Sequence, residues 1–151
     1  MKKRITLILA ALMLATASLI ALTGCGDMTR PNPVTREKFD AAITAQGLES
    51  YAEEHTNGIV VDLSGDAYVY FYEFATDALA RGRFNWIDGD YRGTRTSSVE
   101  VNMGGYQMRR FTSQGFFVRL YRLDNVVVYA SGRVADRGAI DAFMALVIIR
   151  D

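Results

Sequence analysis

The chain holds one cysteine, one histidine, two prolines and one tryptophan, and it has no excess of either charge. A lone Cys25 makes no intrachain disulfide, and with His55 as the sole imidazole no Cys/His cluster has the spacing of a zinc site. Seventeen basic groups face seventeen acidic ones, and with Lys2, Lys3 and Arg4 at the extreme N-terminus the remainder carries 14 against 17. That balance argues against binding to a nucleic-acid backbone. No GxSxG elbow, phosphate loop or dinucleotide fingerprint occurs. His55 lies in EEHTNG with no nucleophile at a telling spacing, and reads as a solvated loop residue. Glu53 and Glu54 beside it are too few for a metal site. Asp88-Gly89-Asp90 lacks the length and terminal glutamate of a calcium loop and reads as a turn. No metal, no catalytic residue and no enzymatic activity are expected.

The N-terminus carries the most specific signal. A short basic stretch, Met1 to Arg4, precedes ITLILAALMLATASLIAL, residues 5–22. The run is long enough to reach across a bilayer. No basic cluster follows it, however, and it ends in small residues as cleaved leaders do. Leu22-Thr23-Gly24-Cys25 resembles the lipobox of bacterial lipoproteins, matching at all four positions. The resemblance implies a signal peptide over 1–24, cleavage before Cys25, and a diacylglycerol on its sulfur that radiolabelled palmitate would report. Two acyl chains hold roughly 30 methylenes at about 0.8 kcal/mol each, well above the threshold for stable anchoring. The implied location is the extracytoplasmic face of a membrane. Gly26 lacks the aspartate that retains enteric-type lipoproteins in the inner membrane, so an outer membrane is open to it. The covalent lipid is the only cofactor expected.

Residues 25–34 read as the lipidated N-terminus and a polar tether, and 35–151 as one domain. Thr35 suits an N-cap, with Val34 and Phe39 as a hydrophobic staple and Gly47 as the stop. The stretch 48–57 is polar, either a loop or a short turn. GIVVDL and DAYVYFYEF alternate and predict a hairpin with a two-residue loop at Ser64-Gly65, which sets Val61 opposite Tyr68. Thr76 caps a helix whose buried side is expected to be Ala75, Leu79 and Phe84 or Trp86, followed by a turn-rich connection from Asp88. SSVEVNM-GG-YQMRRF predicts a type I′ hairpin with positive φ at Gly104 and Gly105 and Glu100 opposite Arg109. Its buried face is expected to be Val99, Val101, Met103, Tyr106 and Met108. Two further strands follow. Ile140, Phe143, Met144 and Val147 recur at helical spacing after Asp136. The expectation is α+β: a single antiparallel sheet of about six strands, order α-ββ-α-ββββ-α, with helices packed on it. YEFATDALARGRF and YRLDNVVVYASG resemble segments of small uncharacterised bacterial lipoproteins, which implies the same fold class and brings no activity.

Two features stand as candidate surfaces. Tyr68, Tyr70 and Tyr72 alternate, so they share one strand face, where they either pack under a helix or bind a sugar, peptide or exposed strand. Charge is also uneven: residues 27–77 hold ten acids and three bases, while 81–137 hold ten arginines and five acids. That pattern fits either pairing between the halves or a basic face for an anionic partner. The expected role is a membrane-anchored, non-enzymatic binding module with an envelope protein, peptide or glycan partner. The alternative is a structural or accessory subunit of a cell-envelope complex.

Overall fold

The structure is a computed structural model that describes residues 30–149. Cys25 and the leader lie outside the described residues. Residues 30–34, expected as the end of a spacer, lie against the body. Pro31 and Val34 are buried, the Asn32 N–H donates to the Ile149 carbonyl at 2.9 Å, and Arg30 pairs with Asp124.

Helix α1, Arg36–Ala45, begins as expected, with the Thr35 hydroxyl accepting from the Lys38 N–H at 3.4 Å. Val34 and Phe39 are both buried, and Gly47 closes the helix at φ 66°. A 3-10 turn over Glu49–Tyr51 then leads into β1, Ala52–His55. This strand lies in the stretch that reads as loop or turn. Its polarity conceals it, because an edge strand has one neighbour and keeps exposed charge at Glu53 and Glu54.

The remaining elements are β2 (Gly58–Asp62), β3 (Tyr68–Glu73), α2 (Asp77–Asp90), β4 (Arg95–Met103), β5 (Tyr106–Ser113), β6 (Phe116–Leu123), β7 (Val126–Arg133) and α3 (Arg137–Val147). The fold is α+β, and its one seven-stranded sheet has the order β1-β2-β3-β7-β6-β5-β4. Every neighbouring pair is antiparallel.

The β2–β3 register differs by one residue from the expected one. Val61 lies opposite Val69, and Asp62 opposite Tyr68. The Asp62 carboxylate accepts from the Ser64 N–H at 2.9 Å, and the Leu63 N–H reaches the Ala67 carbonyl at 2.8 Å, which sets a five-residue connection. A slip of one residue exchanges the faces of a strand. With Val61 opposite Val69, the buried Val69 and Phe71 join the main core and the tyrosines point the other way.

The β4–β5 register is the expected one, with Glu100 opposite Arg109 and Met103 opposite Tyr106. Only Gly104 takes positive φ, at 51°, so the turn is not the expected type I′. Burial is also redistributed. Val99 and Met103 are 41% and 42% exposed because β4 is an edge, whereas Arg109 is buried under α2.

Helices cover both faces. α1 and α3 bury Phe39, Ile43, Ile140, Phe143 and Met144 against Val61, Phe71, Tyr121 and Val128. Phe39 is the hub, with ring centroids 5.3 Å from both Phe71 and Phe143. Burying such a side chain contributes about 1.5–3 kcal/mol. α2 crosses the opposite face over β6 and β7, with Ala80, Phe84 and Ile87 against Leu120 and Val127. Of the expected inner side Phe84 is buried, whereas Leu79 and Trp86 are 56% and 60% exposed, and Ala80 and Ile87 take their places. The helix also runs on through Asp88-Gly89-Asp90, expected as a turn. Asp88 is buried beside Arg95, which holds that last turn onto the sheet.

Candidate functional site

Strands β1–β3 extend beyond the reach of α2, and there the second face of the sheet opens into a cleft. Tyr70 and Tyr72 stand two residues apart on β3 and stack at 5.9 Å with 7° between their planes. Tyr129 of β7, opposite Tyr70 in the register, stacks on it at 5.5 Å. Phe74 continues the row at 6.3 Å from Tyr72. α2 supplies the flank through Arg83, whose guanidinium lies 4.7 Å from the ring centroids of both Tyr72 and Trp86. Its Nη2 also donates to the Tyr72 hydroxyl at 3.0 Å. His55, Thr56 and Asn57, at the β1–β2 turn, complete the wall. The open cleft has a volume of about 370 Å³. Across the turn lies a second hollow of about 430 Å³ bordered by Arg36, Gly58 and Glu73, so that Thr56, Asn57 and Phe74 form a ridge between the two.

Two phenols, Tyr129 and Tyr70, are tuned toward the neutral form. Burial pushes the Tyr129 hydroxyl well above its ordinary range, and its 2.6 Å bond to the Tyr91 hydroxyl adds to the shift. Burial raises Tyr70 as well, reinforced by Tyr72 and Tyr68. Flat aromatic faces with neutral hydroxyls, an amide and one cation suit a ring-bearing ligand, held by stacking and oriented by a few hydrogen bonds.

Of the three tyrosines singled out in the sequence, the structure brings Tyr70 and Tyr72 together in the cleft. Tyr68 stands apart, its hydroxyl donating to the Gly65 carbonyl at 2.8 Å in the β2–β3 connection. His55, read as a loop residue, ends an edge strand at the cleft wall, and no hydrogen bond orients its imidazole. Phe74 and Tyr129 have no counterpart in the sequence reading, where Trp86 is expected on the buried side of its helix and Arg83 belongs only to the arginine-rich segment. Arg83 and Trp86 were findable only from the rotation of α2, since i and i+3 share a helix face.

The arginine-rich half is largely paired internally. Arg122 is buried and donates to Asp77, to Gln107 at 2.7 Å and to the Gly104 carbonyl at 3.1 Å. Arg95 and Arg109 share Asp88 under α2, and Arg133 pairs with Asp66 at 3.0 Å. Two of these pairs, Arg122–Asp77 and Arg133–Asp66, join the basic half to the acidic one. Arg109 and Arg110 sit on opposite faces, as alternation requires. Among the described residues no group of three or more metal-ligating side chains converges, and no helix is long and apolar enough to cross a membrane.

No family model and no curated protein matches the chain. Among solved structures it is similar to a GTP-binding regulator from Thermotoga maritima, with a TM-score of 0.51 and 11% identity over 75% of this chain and 90% of that one. At that identity the likeness is one of fold alone.

Proposed function

We propose that the chain is a lipid-anchored, extracytoplasmic binding module, without enzymatic activity, whose ligand occupies the aromatic cleft. The observation that carries this reading is the stacked row Tyr129–Tyr70–Tyr72–Phe74, three of whose rings, Tyr70, Tyr72 and Phe74, stay half-buried and line the cleft. The cleft's groups are also those of recognition: ring faces, a cation seated on one of them, and side-chain amide and hydroxyl groups. The ligand class they fit is a peptide or glycan with a flat face. The membrane enters through Cys25, whose lipobox supplies the anchor.

Two experiments test the two halves of the reading. Labelled palmitate is expected to enter the wild-type protein and not Cys25→Ala, and equal labelling would end the anchor reading. A photoreactive residue at Asn57, on the cleft wall, is expected to give a discrete adduct in intact cells. The same probe at Tyr51, 60% exposed and outside the cleft, is expected to give none. Matching adducts from both positions would dismiss the cleft as a site.

The alternative, a structural or accessory subunit of an envelope complex, draws on β4. That edge strand exposes Val99 and Met103, and a partner strand can pair with an open edge. Its bulge between Thr96 and Val99, with Ser97 at φ 52°, interrupts the ladder and weakens that template.

A further inference from the structure

The point at which the chain joins the folded body fixes which end of the sheet is close to the anchor. Arg30 pairs with Asp124 in the β6–β7 turn, the Asp124 N–H donates to the Gly105 carbonyl at 2.8 Å in the β4–β5 turn, and Asn32 bonds to Ile149 just past α3. The registers place these features at one end. Met103 lies opposite Tyr106, Tyr106 opposite Leu123, Leu123 opposite Val126 and Val126 opposite Glu73. Only residues 26–29 separate Cys25 from Arg30, and five extended peptide steps reach about 17 Å at most. The eight residues of β5 by themselves span about 24 Å. A lipid on Cys25 therefore keeps this end, and not the opposite one, beside the bilayer.

The chemistry of that end suits such a position. Met103 and Ile149 are both 42% exposed there. Most charges around them are paired, Arg30 with Asp124, Arg36 with Glu54 and Arg81 with Asp77, and the exposed Glu73 is the carboxylate outside those pairs. A tethered patch needs little affinity of its own, because the tether makes contact an intramolecular event.

We propose that this end of the sheet docks on the lipid bilayer, with Met103 and Ile149 entering the headgroup region. The His55–Asn57 wall of the cleft, at the same end, then opens along the membrane surface. The proposal rests on the reading of Cys25 as the lipid attachment site.

The test uses the full chain, purified from bacterial membranes and reconstituted into vesicles containing brominated phosphatidylcholine. Trp86→Phe removes the single native tryptophan. Onto it are placed Met103→Trp at the near end or Phe116→Trp at the far end, the latter position being 44% exposed. Both sites are exposed, and circular dichroism confirms folding. Trp at 103 is expected to be quenched several-fold more than Trp at 116. Equal quenching, or the reverse order, in protein that floats with the vesicles through Cys25 overturns the docking proposal and leaves the anchor standing. Flotation that is absent, or unchanged by Cys25→Ala, overturns the anchor reading and the proposal with it.

Discussion

The two faces of the sheet are built from different materials. Under α1 and α3 the contacts are apolar, and Phe39, Phe71, Phe143 and Val128 are fully buried. Under α2 the apolar patch is small, and around it lie buried arginines bonded to Asp77 and Asp88 and seated on rings: Arg95 over Phe111 at 4.6 Å and Arg109 near Phe84 at 5.4 Å. The first face gains its stability from area removed from water. The second holds one helix in place through ion pairs whose net contribution is small, since desolvation offsets most of their attraction. It then covers β3 only in part, through Arg83 and the packing of Tyr72 and Phe74, and leaves Tyr70 at the margin half-buried. The first face thus serves the fold, and the second face is where a site has room to exist.

Predictions follow the same division. Phe143→Ala on the first face is expected to cost about 4 kcal/mol, the range for emptying an aromatic site in a core, read by urea unfolding. Asp88→Ala on the second face is expected to cost about 3 kcal/mol, because buried Arg109 and half-buried Arg95 lose their buried carboxylate and keep only the half-exposed Glu100. A loss near zero there would mean that water reaches the pair and that the face is looser than drawn. Tyr70→Ala, at the uncovered margin, is expected to cost about 1 kcal/mol, the scale of ring stacking at a half-exposed site.

Tyr129→Phe has the smallest effect, about 0.5 kcal/mol for one hydroxyl pair, but it has a signature in pH. The Tyr129 and Tyr70 phenols are raised in the fold, so the folded chain holds those protons more tightly than the unfolded one. Stability is then flat below the unfolded phenol value, about pH 10, and falls as pH rises above it. Denaturant titrations across that window are expected to show a shallower fall in Tyr129→Phe than in the wild type.

The same division decided what could be read in advance. The four apolar positions of α3 were legible because an amphipathic helix on an apolar face repeats its pattern in the sequence, and all four are buried. The β4–β5 register followed from the glycine turn. The β2–β3 register did not, because the short-loop signal at Ser64-Gly65 was overridden by the Asp62 side chain bonding to the backbone after it. α2 was read correctly at Phe84 but not at Leu79. Its large apolar residues Leu79 and Trp86 face solvent while Asp88 is buried, an inversion that only the arginines on the sheet explain. Tyr70 and Tyr72 were visible from strand alternation. Arg83 and His55 reach the cleft through packing and strand order, which no local pattern encodes.

The central claim is that the uncovered aromatic margin exists for binding rather than for folding. The measurement closest to it compares adduct yield from the photoreactive residue at Asn57 in the wild type and in Tyr70→Ala, with the melting temperature of each. The account predicts that the adduct falls several-fold while the melting temperature drops by about 5 °C or less. An adduct that persists in Tyr70→Ala, or that fades only as far as the protein itself unfolds, would contradict it.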